Sequence, residues 1–367
     1  VAELDAIVAA IEDWIEREVP FALATVVGVR GSTYRGLAAR QLMALDGTSI
    51  GTVSGGCLDQ DVASIAARVA ASGTAETVEF DLTADDEAVW GWGIGCNGAT
   101  RLLVEPAEGA AGFVAMIREI RAGQRPTAIV HSIGEGIPGR RALVTLSSVE
   151  GSLPAGVVEE ARAAIEIGWH RVVEDGPWSF LVEVVGAPSR LIVFGAGHDA
   201  TPLAASAAQL GFEVIVADER RQFLTEERFA SAKELIQVEA GGLAAAIGPD
   251  PRTYVVLMSH NYLRDLAALR SLLGTDVAYI GALGPGERLG RLLADLRREG
   301  AVIGEAELDK LHGPAGLDIG AEGPVEIAWS VMSEILAVRR GRPGGRLRVR
   351  KGPTRASSPP LAGDSTE

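Results

Sequence analysis

The sequence predicts an α/β protein with a doubly wound parallel sheet in its C-terminal half and an α/β domain with a mixed sheet before it. Three observations carry this prediction. The 367 residues exceed one core of ordinary size. Beyond residue 190, short apolar runs alternate with helix-period segments, the pattern of parallel strands joined by right-handed crossovers. Gly186-Ala187-Pro188-Ser189 sets turn formers directly before that alternation. The chain therefore divides into domains over residues 1–185 and 190–340, with a tail over 341–367.

In the first domain, Leu4, Ile7, Val8, Ile11, Trp14 and Ile15 recur at helical spacing, and Pro20 ends that helix. Phe21 to Val29 is a continuous apolar run, read as a buried strand, and the polar loop Arg30 to Gly36 follows. Gln41–Leu45 and Ser49–Val53 bracket Asp46-Gly47, a hairpin signal. Ser54-Gly55-Gly56-Cys57 then opens a helix with Leu58, Val62, Ile65, Ala66 and Val69 on one face. A second glycine-rich loop, Gly91 to Gly98, precedes the strand that ends in RLLVEP. Between residues 110 and 185, a helix (Phe113–Ala122) joins the strands TAIVHSI, RALVTL and SFLVEVV, with no chemistry of their own in view.

In the second domain, strands are expected at Leu191–Phe194, Val214–Ala217, Glu234–Val238, Tyr254–Met258 and Val277–Ile280. Helices fall at Ala200–Leu210, Leu263–Leu273 and Arg288–Arg298. The last helix has Pro324 in its first turn, Arg339 and Arg340 in its final turn and Gly341 to stop it. The Pro-, Ser- and Arg-rich remainder reads as a flexible tail.

Composition limits the function classes. A net charge of −15 argues against a general nucleic-acid binder, which needs a basic face. With 45 glycines and no collagen-like period, many glycines belong to turns and ligand loops. The first residues carry acids and no basic leader region, and no apolar run reaches the length of a membrane span. Two cysteines cannot build a disulfide framework. These features lead to the expectation of a cytoplasmic protein with reduced thiols.

Two constellations carry candidate chemistry. The strand LIVF runs into Gly195-Ala196-Gly197-His198-Asp199-Ala200 and a helix, the GxGxxA turn of Rossmann-like dinucleotide-binding domains. Such glycines let a diphosphate approach the N–H groups of a helix start, and Asp218 ends the next strand, where an acid would hold ribose hydroxyls. The alternative is a glycine turn that only closes a strand–helix unit. Arg220 and Arg221 are either a 2′-phosphate site or solvated charges. His260 lies at the carboxyl end of YVVLM, where ligands bind in such sheets, or else packs and caps; His198 is open to the same two readings. His131, His170 and His312 stand outside any motif and are read as structural or surface residues.

The second constellation is sulfur. Cys57 follows Gly55-Gly56 at a helix start, where N–H groups favour a thiolate, and Cys96 lies within Gly93-Ile94-Gly95-Cys96-Asn97-Gly98. Both occupy ligand-type loops outside the apolar stripes that hold inert cysteines. The alternative is a small residue packed under a glycine turn. Zinc is not expected, because no Cys-x-x-Cys or neighbouring His pair exists. Arg30, Arg35 and Arg40 around the first loop form a local anion site or are simply exposed.

Taken in order, GSTYRGLAARQLMALDGTSIGTVSGGCLDQDV, GIGCNG, LIVFGAGH, VVLMSHN, YIGALGPGER and GPAGLDIGAEGPVEIAWSVMSEI resemble the XdhC/CoxI family over nearly all of residues 1 to 340. The family comprises accessory factors for xanthine dehydrogenase, carbon monoxide dehydrogenase and related molybdenum hydroxylases. The resemblance implies a chaperone that binds molybdenum cofactor (molybdopterin), supports its sulfuration by a cysteine desulfurase and helps insert it into the apo-hydroxylase. It places Cys57 and Cys96 on the family's cysteine motifs and Gly195 and Gly197 on its Rossmann turn. Asp59 replaces the usual Glu after GGCL, and Asn97 stands where the usual GCGG has Gly. The competing expectation is an NAD(P)-dependent oxidoreductase built on Gly195, Gly197 and Asp218. A homodimer is expected in either case.

Overall fold

The computed structural model describes residues 2–81, 97–123, 125–133 and 138–349. Cys96 and most of the expected tail lie outside the described residues. The chain forms two compact units, divided between Ala187 and Pro188.

In the N-terminal unit, α1 (Ala2–Glu16) buries the predicted stripe of Ile7, Val8, Ile11 and Trp14. One five-stranded antiparallel sheet contains β1 (Phe21–Ser32), β2 (Arg40–Ala44), β3 (Ser49–Gly51), β4 (Glu76–Asp81) and β5 (Asn97–Pro106), in the order β3-β2-β1-β5-β4. Asp46 accepts a hydrogen bond from the Thr48 N–H at 2.8 Å, closing the hairpin that Asp-Gly predicts. A second antiparallel sheet contains β6 (Thr127–Ser132), β7 (Arg141–Val144), β8 (Val149–Glu150), β9 (Arg171–Asp175) and β10 (Trp178–Val185), in the order β8-β7-β6-β10-β9.

Side-chain alternation decides what each face meets. Ala22, Ala24 and Val26 of β1 pack under α2 (Asp59–Ser72), whose Val62, Ile65, Ala66 and Val69 supply the cover. Phe21 and Leu23 turn the other way, onto α1 and α3 (Ala107–Gly123). Ile129, Leu143 and Val185 of the second sheet join that same core, so both sheets share it. The outer face of the second sheet is covered by α4 (Ala155–Ile167) through Val157, Ala161, Ala164 and Ile165. Complete burial of a side chain such as Ile11 or Phe113 contributes about 1.5–3 kcal/mol.

Two boundaries differ from expectation. α3 starts at Ala107, not Phe113, because its first turn is built of small residues that give no apolar period. α2 starts at Asp59, so Cys57 precedes the helix. Gly56 has φ +103, a conformation no helix accepts, and it holds Cys57 outside the first turn.

The C-terminal unit is a six-stranded, all-parallel sheet. Its strands are β11 (Arg190–Phe194), β12 (Glu213–Asp218), β13 (Glu234–Gln237), β14 (Thr253–Leu257), β15 (Tyr279–Ala282) and β16 (Leu311–His312), in the order β13-β12-β11-β14-β15-β16. That is the doubly wound order of Rossmann-like domains. Leu191 and Val193 face α5 (Ala200–Gln209) and, later in the chain, α10 (Gly323–Arg339). Ile192 and Phe194 face α6 (Leu243–Ile247), α7 (Tyr262–Leu272) and α8 (Glu287–Arg298). The short α9 (Glu305–Leu308) leads into β16. The strand expected at Val277 begins at Tyr279, and β16, only two residues long, leaves no periodic signal.

Candidate functional site

In the N-terminal unit, the Cys57 turn is fixed from below by one buried hydroxyl. Ser54 Oγ accepts from the N–H groups of Gly56 (3.0 Å) and Leu58 (3.4 Å) and donates to Asp59 Oδ1 (2.9 Å). Ser54 is buried, whereas Gly55, Gly56 and Cys57 are exposed. A Cβ on Gly55 would lie 3.3 Å from the Tyr34 ring, so the Arg30–Gly36 loop lies against the Ser54-Gly55-Gly56-Cys57 turn. Ser32, two residues before Tyr34, pairs with Asn97, the residue after Cys96. A Cβ on Gly98 would sit 2.3 Å from the Arg30 carbonyl oxygen, so only glycine permits this pairing. The arginines here are engaged: Arg35 pairs with Glu3 at 2.5 Å, Arg30 with Asp81 at 2.7 Å, and Arg40 is buried elsewhere.

In the C-terminal unit, the switch point lies where β11 and β14 end side by side. Gly195 has φ +114, and a Cβ there would lie 2.5 Å from the Met258 carbonyl oxygen. Its first duty is thus close approach of two strand ends. Gly197 leaves room beside the His260 ring, 3.5 Å from where its Cβ would be. His260 itself has φ +55 and reaches Asp199 Oδ2 through Nε2 at 3.2 Å. That conformation is held from the buried side. Ser259 Oγ donates to Asp265 Oδ1 at 2.5 Å, and Arg288 donates to Asp265 Oδ2 at 2.7 Å. His198 is exposed, one residue beyond Gly197.

Asp218 is buried and fully engaged. It accepts from the Ala196 N–H (2.7 Å), the Arg220 N–H (2.8 Å) and the Arg220 guanidinium (3.0 and 2.9 Å). Burial opposes its ionisation, but the hydrogen bonds from Arg220 and Ala196 outweigh burial and hold the carboxyl below its ordinary range. Arg220 in turn lies over the Phe223 ring at 4.2 Å. Asp218 thereby ties the glycine turn to the strand beside it.

The family model described as the XdhC Rossmann domain matches residues 191–335, and that of the XdhC and CoxI family matches residues 14–81. A Bacillus subtilis protein whose name makes it a probable component of xanthine dehydrogenase is 31% identical, over 87% of this chain and 93% of its own length. The chain belongs to the XdhC and CoxI family. A further relative, the molybdenum cofactor insertion chaperone PaoD of Escherichia coli, is 24% identical over 86% of this chain and 83% of its own. Among solved structures, one described as a xanthine dehydrogenase from Bacillus halodurans superposes with a TM-score of 0.75 at 30% identity, covering 92% of this chain and 96% of that one.

This XdhC and CoxI family member also contains a cluster of polar groups that the sequence does not bring together: Arg40, expected in an anion site or exposed, and His131 are buried in it. Arg40, Glu105, His131, Arg141 and Glu183 meet between the two N-terminal sheets. Arg40 binds Glu183 at 2.8 and 2.5 Å, and its guanidinium lies 4.1 Å over Phe113. His131 Nδ1 accepts from Arg141 Nε at 3.1 Å, so the Nε2–H donates to Glu183 at 2.9 Å. Arg141 reaches across to Glu105. Two cations and two anions balance around a neutral imidazole, which burial pushes down to about 4. Apart from His131 and Arg141, which are 10 residues apart, the partners lie 36 to 143 residues apart, beyond any local pattern.

In the other unit, Tyr279 donates to Glu334 at 2.6 Å and stacks on His312 at 4.5 Å, while the Gly316 N–H also meets Glu334 at 2.9 Å. This trio anchors the GPAGLDIGA segment to α10. No described helix is long and apolar enough to cross a membrane, and no described cluster of His, Cys, Asp and Glu is arranged to hold a metal ion.

Proposed function

We propose that this protein is an accessory factor that binds molybdenum cofactor and assists its sulfuration and insertion into a xanthine dehydrogenase-type hydroxylase. The observation that carries the reading is the likeness, along most of the chain, to a protein named for xanthine dehydrogenase and to one named for molybdenum cofactor insertion. The residues fit such a guest. Cys57 offers a soft sulfur at an exposed turn, and soft sulfur is a ligand type suited to molybdenum. Gly55 and Gly56 leave backbone open beside it. When bound, the cofactor supplies the molybdenum centre that the hydroxylase uses. Ser54 keeps the turn in shape, and Arg35 reaches an anionic phosphate by leaving Glu3, an exchange that costs little because partly exposed ion pairs are worth about 0–1 kcal/mol. Cys96, which precedes Asn97 in sequence, is proposed as the second thiol. Partners under this reading are the apo-hydroxylase, a cysteine desulfurase and a second copy in a homodimer, in the cytoplasm.

The test is anaerobic purification after expression in cells that make the cofactor, followed by native mass spectrometry. Wild type retains molybdenum cofactor, and Cys57→Ala loses most of it. No cofactor on wild type, or equal retention by the variant, would overturn the reading.

A second reading concerns Gly195, Gly197, His198, Asp218 and His260 as a nucleotide site, favoured by the strand order and the glycine turn. An NAD(P) ribose needs Asp218, which must first give up Arg220 and the Ala196 N–H. Arg220→Ala should therefore tighten NADH binding if this site is used. Fluorescence titration that finds no NADH binding in either protein at millimolar nucleotide removes the oxidoreductase alternative.

A further inference from the structure

The apolar arc of the last helix is wider than the core it packs on. Ala328, Val331, Met332 and Ile335 of α10 are buried. Beside that stripe, Val325 and Trp329 stand one turn apart with 60% and 64% of their surfaces exposed. The half-buried Ser333 and Leu336 continue the row, and the exposed Glu326 and Arg340 close its two ends. Arg340 keeps helical phase, since its N–H still bonds to the Leu336 carbonyl at 3.1 Å. At 3.6 residues per turn, these side chains share one strip along the helix.

Two features make this strip more than a scatter of exposed apolar residues, which by themselves are common. The first is charge left unused. On α7 and α8, Arg264, Arg270, Arg291 and Arg298 each meet a carboxylate. Arg340 meets none among the described residues, and Glu326 meets no cation there, its Oε2 accepting from the Glu322 N–H at 2.7 Å. The second feature is order. Glu326 and Arg340 lie equally far along the chain from Ser333, with Trp329 between on one side and Leu336 on the other. Turned end for end about Ser333, the strip is its own complement: Glu326 falls opposite Arg340, and Trp329 falls beside Leu336. A two-fold interface requires that self-complementarity. Ser333 on the axis is small enough to let two backbones approach, and antiparallel helices align their dipoles favourably. A foreign acidic partner would instead oppose Glu326, and a purely apolar one would cover both charges without pairing them.

We infer that α10 is the seam of a homodimer: two copies pack α10 antiparallel about Ser333, Trp329 lies on the partner's Leu336, and Glu326 pairs with the partner's Arg340. The inference gives a face to the second copy named above and rests on that part of the reading. It uses neither Cys57 nor the glycine turns. A monomer that still retains cofactor would therefore sink the seam and leave the cofactor reading standing. One helix pair is small beside the roughly 1,200 Å² of a standard interface, so dissociation in the micromolar range is expected.

Sedimentation velocity of the full-length protein over about 1 to 100 μM tests it. Wild type should pass from monomer to dimer across that range. Trp329→Ala should weaken the dimer at least about tenfold. Arg340→Glu and Glu326→Arg should each do the same, because like charges then face each other, and the double variant should return to within about threefold of wild type. A folding defect cannot produce that recovery. Trp178→Ala, at an exposed tryptophan of the N-terminal unit, should dimerise as wild type does. Circular dichroism melts that match wild type show that the variants fold. A wild type that stays monomeric at the highest concentration overturns the inference. A dimer that all three single variants on α10 leave intact overturns it too, and places the second copy on another surface. A double variant no stronger than either charge reversal alone rules out the antiparallel pairing and the inference with it.

Discussion

At the scale of single residues, the most consequential group is one the sequence hides. His131 is buried with its imidazole neutral, pushed down to about 4 from 6.5, mainly by burial. As pH falls through that window, the unfolded chain takes up a proton that the folded chain refuses, so stability is lost between about 6.5 and about 4. The loss is on the order of 3 kcal/mol, read from urea unfolding at pH 7 against pH 5 and below. His131→Gln should flatten that dependence, and an unchanged slope would show that other groups carry it. Glu183 is held below its usual range because Arg40 and His131 outweigh the effect of burial. Glu183→Ala strands the Arg40 charge and should cost about 3–5 kcal/mol. By contrast, Cys57 and the glycines announced themselves in the sequence by their neighbours.

At the scale of elements, two turns organise the candidate sites. Gly195 combines a positive φ with backbone 2.5 Å from where a Cβ would go. Gly195→Ala should therefore lower stability by at least about 1–3 kcal/mol, seen as a lowered melting temperature. A variant melting with wild type would mean that the strand ends tolerate separation. The Ser54 hydroxyl serves Gly56, Leu58 and Asp59 together. Ser54→Ala should speed hydrogen exchange at Gly56 and Leu58 and alter the rate at which Cys57 reacts with a thiol reagent. Exchange as slow as in wild type at both amides would rule out the hydroxyl as the support. Most elements were legible where a periodic run exceeded about one helical turn, but α4 was not read, because its buried face is half alanine. β16 and the first turn of α3 were not, because two residues, or a run of alanine and glycine, carry no period.

At the scale of the whole molecule, the C-terminal unit was readable almost entirely, since its strands are apolar on both faces and its helices alternate with them. The N-terminal unit was readable only in part as elements, with α4, β4, β8 and β9 not read, and not as two sheets. Register there depends on which polar residues turn inward, and Arg40, Glu105, His131, Arg141 and Glu183 look like surface residues in sequence. Their worth lies in pairing, which appears only after folding. The division at Ala187–Pro188 predicts that limited proteolysis cuts first within residues 186–189, where no helix or strand is present. Two persistent fragments are expected on a denaturing gel. Rapid degradation of one of them would show that its fold depends on the other.

One pairing shapes what this scaffold can become. Asp81 of β4 faces Ala99 of β5, and Asn97 of β5 faces Ser32 of β1, so one strand carries the register of both its neighbours. A slip of β5 by a single residue would send Leu102 and Val104 to the opposite face and uncouple α2 from its sheet, so a one-residue insertion or deletion within Asn97–Pro106 is felt on both sides of the strand at once.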